Sequence, residues 1–161
     1  DQSPLRGLSD LTNRFFAFGD PDSTMSSLIP RAMLRQNGVS LGDLSGYRHY
    51  DGHNNVALAV LSGEADAGAV KEEVFHRYRT QGLRSLQATP AISEHLFVTR
   101  ADLDPRLVQQ IRKLMLDINL RHPDRVERLL KPIKQTATGL VRVKDRDYDN
   151  LRQIMDIIRY D

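Results

Sequence analysis

The sequence contains no cysteine and no tryptophan. Disulfides and thiolate metal sites are thereby excluded, although that absence chooses no cellular compartment. Aromatic residues make up only 6% of the chain, so no interleaved platform for stacking nucleic-acid bases is present. Neither sign of charge dominates: 23 lysines and arginines face 21 aspartates and glutamates, and the basic runs are short, as in Lys131 to Lys134. Nucleic-acid binding therefore finds little support. No apolar run approaches the roughly 20 residues that span a bilayer. Asp1-Gln2-Ser3-Pro4 has neither the basic start nor the apolar core of a signal peptide. That opening fits a mature or excised segment, or a cytoplasmic protein. What remains is ordinary for a globular chain, with 40% hydrophobic and 27% charged residues in 161.

The pattern along the chain alternates. Strands are expected at 14–18, 46–50, 66–70 and 83–88, with helices at about 24–37, 53–62 and 71–81 between them. Such alternation predicts a mainly parallel sheet with helices on its faces. Asn37-Gly38, Ser62-Gly63 and Gln81-Gly82 mark the helix stops, each offering glycine where a left-handed residue is needed. After Pro90, Leu96-Phe97-Val98 reads as one more strand. Asp104-Pro105 then starts a helix striped by Leu107, Ile111, Leu114, Met115 and Ile118, which His122-Pro123 interrupts. A short helix at 124–131, a loop from Pro132 to Val143, and a last helix from about Asp145, striped by Tyr148, Leu151, Ile154, Met155 and Ile158, complete the chain.

The most telling segment is Phe15-Phe16-Ala17-Phe18-Gly19-Asp20-Pro21-Asp22-Ser23-Thr24-Met25-Ser26-Ser27. A buried strand ends at Gly19 and a helix begins near Ser23 or Thr24. The unpaired N–H groups of a first turn, together with hydroxyls, suit an oxyanion. The same residues also serve simply as N-caps, worth about 1 kcal/mol with or without a ligand. Gly52-His53-Asn54 and Asp66-Ala67-Gly68 fall at two further hand-overs between strand and helix, the edge where open α/β sheets bind ligands. His53 is expected to donate to an anion and to become cationic beside it near its ordinary pKa of about 6.5. Asp66 is expected to accept from a protonated oxygen or an ammonium. His49 and His53 have the i, i+4 spacing of a metal pair, but a strand end and a turn between them speak against one. Ser23, His53 and Asp66 are the residue types of a hydrolase triad without a Gly-x-Ser-x-Gly elbow, and no catalytic set emerges.

Taken in order, Phe16 to Thr24, Gly52 to Glu64, Ala65 to Val70, Ile92 to Arg100 and Asp147 to Arg152 resemble the phosphate/phosphite/phosphonate substrate-binding proteins of ABC importers. The resemblance runs from about residue 10 to near the end. It implies an α/β, type II periplasmic binding-protein-like fold with a mainly parallel sheet, flanking helices and appended C-terminal helices. It further implies that the family's first lobe is largely absent, leaving a ligand-binding α/β lobe at 10–90 and a returning strand with C-terminal helices at 91–161.

Ser23, Thr24, His53 and Asp66 match the family's ligand residues. Met25 stands where a third hydroxyl is usual, Ser26 where glycine is usual, and Asn54 where aspartate is common. The candidate ligand-binding set is thus Ser23, Thr24, Met25, Ser26, His53, Asn54 and Asp66, with no catalytic residue, metal or cofactor. A missing hydroxyl costs about 1.5–3 kcal/mol where its bond is to a charged group. Ser26, one position later, is a candidate to replace it. The implied function is non-enzymatic binding of phosphate, phosphite or a phosphonate as the solute-binding component of an ABC importer or an attached sensor, in the periplasm or another extracytoplasmic space. The implied partners are a small oxyanion, a permease or membrane sensor, and a second copy in a homodimer, with neither nucleic acid nor direct membrane insertion. The alternative is a truncated or degenerate lobe acting as a structural or protein-interaction module without ligand capture.

Overall fold

The fold is built on a short parallel sheet in which β1 (Phe15–Phe18) lies between β2 (Gly46–His49) and β3 (Ala67–Gly68). The structure is a computed structural model that describes residues 3–92, 95–133 and 137–158. The alternation within Phe15-Phe16-Ala17-Phe18 explains both faces of the sheet. Phe16 and Phe18 turn toward Leu5, Leu11, Leu34, Val39 and Leu44, while Ala17 turns toward Val56, Ala59 and Ala65. Large side chains fill the face under α1 (Ile29–Gln36), and small ones let α2 (Gly52–Leu61) come close on the other. Gly68 pairs with Ala17, and a Cβ on it would lie 2.7 Å from Val56 Cγ1 and 3.0 Å from the Ala17 carbonyl oxygen.

The helical connections between parallel strands are those expected, with shifts at the edges. The helix predicted over 24–37 is a π-helical turn at Thr24–Leu28 followed by α1. The cause is Pro30, which has no N–H to continue an i→i−4 ladder. The N–H groups of Leu28 and Ile29 reach back five residues, to the carbonyls of Ser23 and Thr24. Gly38 and Gly63 follow α1 and α2 with φ of 78° and 76°, the left-handed conformation their positions foretold. The helix expected at 71–81 is α3 (Glu72–Tyr78) with a 3₁₀ turn at Arg79–Gln81.

Two predicted strands are absent among the described residues. Residues 83–88 have no strand partner. Leu86 packs on the core around Phe16 and Phe18, and Arg84 donates to the Leu5 carbonyl. Leu96, Phe97 and Val98 are exposed and unpaired with any strand. An apolar run reads as a strand from sequence, but a strand exists only with a partner. Ser93 and Glu94, within a segment of the family resemblance, and Lys134, in a basic run, lie outside the described residues.

The chain divides into two compact units. One is the chain up to Ile92 together with the segment from Asp149, and the other is the stretch between, ending at Tyr148. In the first unit, the last helix, α6 (Asp149–Ile158), packs on α1, although the sequence reading groups it with residues 91–161. A 3₁₀ turn at Asp145–Tyr148 precedes it. In the second unit, α4 (Pro105–Arg121) and α5 (Pro123–Leu130) pack together with Val126 and Leu130 buried. The Asp104 carboxylate accepts the Arg106 N–H at 2.8 Å, the cap its sequence announced. The α4 stripe of Leu107, Ile111, Leu114 and Ile118 is exposed.

Phe18 is fully buried at the centre of the sheet. Its replacement by alanine is expected to lower the unfolding free energy by about 3–5 kcal/mol in denaturant titration. A loss below about 1 kcal/mol would show that the core does not depend on this ring.

Candidate functional site

In parallel α/β sheets the strands deliver their following loops to one edge. Here β1 leads through Gly19 into the Thr24–Leu28 turn, β2 leads into α2, and β3 leads into α3. The first of these junctions is very tight. Gly19 donates its N–H to the Ser26 carbonyl at 2.9 Å, an oxygen whose usual helical donor, four residues on, is Pro30. A Cβ on Gly19 would lie 2.0 Å from Ser26 Oγ, so only glycine fits. At the other end of the same residue, His49 donates from Nδ1 to the Gly19 carbonyl at 2.6 Å, with its ring stacked on Phe18 at 5.6 Å.

Within the turn, hydrogen-bond polarity is set by Ser26. Its hydroxyl donates to Ser23 Oγ at 2.8 Å, and its N–H donates to the same oxygen at 3.3 Å. A hydroxyl has two acceptor lone pairs and one proton, so Ser23 keeps its proton for an outside acceptor. The N–H groups of Thr24 and Met25 find no acceptor among the described residues, as befits a first turn. Ser26 is only 2% exposed and its single proton is committed to Ser23. With its hydroxyl turned to Ser23, its influence on an oxyanion would pass through that residue.

The second junction carries His53 and Asn54 in the first turn of α2. The Lys71 backbone N–H donates to His53 Nδ1 at 3.1 Å, which fixes the neutral ring as the Nε2–H tautomer, a donor on its remaining nitrogen. Burial, reinforced by the Lys71 charge, holds the His53 pKa below its ordinary value despite an opposing effect of Glu73. With no ligand beside it, His53 thus favours the neutral form, which donates from Nε2. Asn54 Oδ1 accepts from Arg77 at 3.2 Å, and its NH₂ group has no acceptor among the described residues.

Asp66 stands apart. It precedes β3, so it lies at the opposite, N-terminal edge of the sheet. Its carboxylate accepts the Phe15 N–H at 2.8 Å and lies 3.6 Å from the Arg14 guanidinium. β1 has four residues at about 3.3 Å each, which separates Asp66 from the other candidates by roughly 10 Å. The expectation that Asp66 lies at a hand-over into a helix fails, because both the expected strand at 66–70 and the observed β3 leave it at the strand's N-terminal end. His49 belongs to β2 and His53 to α2, each with Nδ1 engaged elsewhere, so their i, i+4 spacing has no helical meaning. The supporting roles of His49, Lys71 and Arg77 went unread. The sequence marks His49 only through its i, i+4 spacing to His53, and nothing local marks Lys71 or Arg77.

The lowered pKa of His53 makes a prediction with a definite sign. Below the unfolded-state value of about 6.5 the unfolded chain binds the proton more readily, so the contribution of His53 to stability is present above that pH and is lost as pH falls through the lower folded value. Denaturant midpoints measured across this range should fall with acidification more steeply in the native chain than in His53→Gln. Equal slopes would mean that the ring is not held neutral.

Known proteins place this geometry in context. The sequence profile of the family described as "ABC transporter, phosphonate, periplasmic substrate-binding protein" matches residues 1–148. A probable ABC transporter phosphite binding protein of Prochlorococcus marinus is 25% identical over 164 residues, covering 94% of this chain and 54% of the relative. A phosphate-import protein of Mycolicibacterium smegmatis is 25% identical over 176 residues, covering 98% and 55%. The chain thus spans about half the length of these curated relatives. The fold is shared with the solved Prochlorococcus marinus protein in complex with methylphosphonate, at a TM-score of 0.73 and 23% identity over 97% of this chain and 61% of that one. It is also shared with a Xanthomonas citri protein bound to ATP, at a TM-score of 0.79 and 22% identity over 98% and 62%. No described helix is long and apolar enough to cross a membrane. The family match, together with a parallel sheet that opens onto two helical first turns, establishes that this chain belongs to the periplasmic substrate-binding proteins of phosphonate ABC transporters.

Proposed function

We propose that this chain supplies a non-enzymatic binding surface for a phosphorus oxyanion, namely phosphate, phosphite or a phosphonate, within an extracytoplasmic solute receptor of an ABC importer or an attached sensor. The observation that carries the reading is hydrogen-bond polarity. Ser23 and His53 each have their acceptors occupied from within the chain, so both offer protons at the edge to which Thr24 and Met25 bring free N–H groups. An anionic oxygen is an acceptor, and donors aligned in advance spend little free energy on reorganisation. The helix dipole adds the same sign of attraction. Ser23, Thr24, Met25 through its N–H, His53 and Asn54 form the proposed set, whereas Asp66 is left out and Ser26 acts as the support of Ser23. The permease or sensor that would receive the loaded protein is a partner implied by family membership.

A second reading draws on one observation, the exposed apolar stripe of α4. It makes the second unit a protein-interaction surface, with a second copy as the simplest partner. Light scattering coupled to size exclusion tests it: mass that rises with concentration and returns to that of a monomer in Leu114→Glu supports it, and a monomer at every concentration rejects it.

The leading reading is tested by isothermal titration of the full chain with phosphate, phosphite, methylphosphonate and 2-aminoethylphosphonate. Saturable binding to at least one is expected. Thr24→Ala should weaken it by about tenfold or more, the worth of one hydroxyl bonded to a charged group. Absence of heat from all four, or an unaltered affinity in the variant, would count against an oxyanion site built on this turn.

A further inference from the structure

We propose that Arg77, in the last turn of α3, is a positioning residue that sets Asn54 as a hydrogen-bond donor to the bound anion. The inference rests on the oxyanion reading above and adds a residue that contributes to affinity from outside the ligand shell. A primary amide is ambivalent, with an acceptor on one side and two donors on the other, and alone it presents either face. A guanidinium has donors only, so the group that meets Arg77 at 3.2 Å is Asn54 Oδ1, and the amide NH₂ is left over. Turned the other way, the carbonyl oxygen would confront a phosphoryl oxygen, acceptor against acceptor.

The same short helix polarises the neighbouring side chain. Lys71, the N-cap residue of α3, gives its N–H to His53 Nδ1, so α3 grips two consecutive residues of the first turn of α2 from its two ends. Both grips engage the acceptor of an ambivalent group. Arg77 is exposed, whereas Val74 is the buried residue of α3.

Isothermal titration with inorganic phosphate and with methylphosphonate, on the full chain, decides the matter across Arg77→Ala, Arg77→Lys, Asn54→Ala and the double variant Arg77→Ala/Asn54→Ala. Arg77→Ala and Asn54→Ala should each weaken binding by about tenfold, the worth of one hydrogen bond to a charged group. The double variant should be no weaker than Asn54→Ala, because a residue that acts through another contributes nothing once that other is gone. Arg77→Lys should recover part of the loss, and the thermal midpoint of every variant should stay near that of the native chain. An affinity unchanged in Arg77→Ala, or losses that multiply in the double variant, would overturn the positioning role while leaving the oxyanion site intact. A native chain that binds neither probe would overturn the oxyanion reading and this inference with it.

Discussion

The approach of the Gly19 backbone to Ser26 is the contact on which the site depends. Its origin is a missing proton: Pro30 cannot donate to the Ser26 carbonyl, and that oxygen takes the Gly19 N–H instead. The turn is thereby drawn against the end of β1 so closely that no Cβ fits between them. Ser26 is in turn held where both its N–H and its hydroxyl reach Ser23. One proline, one glycine and two serines thus fix the geometry of a first turn before any ligand arrives. His49 closes the arrangement from the β2 side by holding the Gly19 carbonyl.

Charge alone would make this a poor anion site. The chain carries a net charge of only +2, and Asp20, Asp22 and Asp51 flank the two first turns. Unit charges 4 Å apart in water attract by only about 1 kcal/mol, whereas a hydrogen bond to a charged group contributes about 1.5–3 kcal/mol. Donors held in place therefore outweigh net charge, provided that none is cancelled by an acceptor beside it. The chain meets that condition by engaging acceptors internally, with Ser26 engaging Ser23, Lys71 engaging His53 and Arg77 engaging Asn54. Asp66, the one acceptor-only side chain among the candidates, stitches the far edge of the sheet to Phe15.

Features governed by neighbours in the chain were legible. The left-handed stops at Gly38 and Gly63, the cap at Asp104-Pro105 and the break at His122-Pro123 all follow from local sterics, and each stands where the sequence put it. Ser23, Thr24 and His53 were legible as candidates because strand ends and helix starts are local too. The role of Asp66 was misjudged, because a residue at the start of a strand lies at the edge opposite to the one where that strand hands over to its helix. The expected strands at 83–88 and 96–98 failed for a different reason: apolar sequence signals a wish to be buried, and only distant pairing decides the manner. The bond between Arg77 and Asn54 spans 23 residues and two helices, and no periodicity reports it.

The return of α6 to pack on α1, from the far side of the second unit, has a consequence for how the protein comes into being. A ribosome releases β1, α1, β2, α2, β3 and α3 well before the helix that covers α1. During synthesis the sheet therefore assembles with part of its cover missing, and the side of α1 that α6 covers stays open until that last helix has been made. Contacts so distant along the chain form late and slowly. Translation speed through the α4 and α5 segment, and any chaperone able to shield α1 in that interval, thus bear on the yield of native protein.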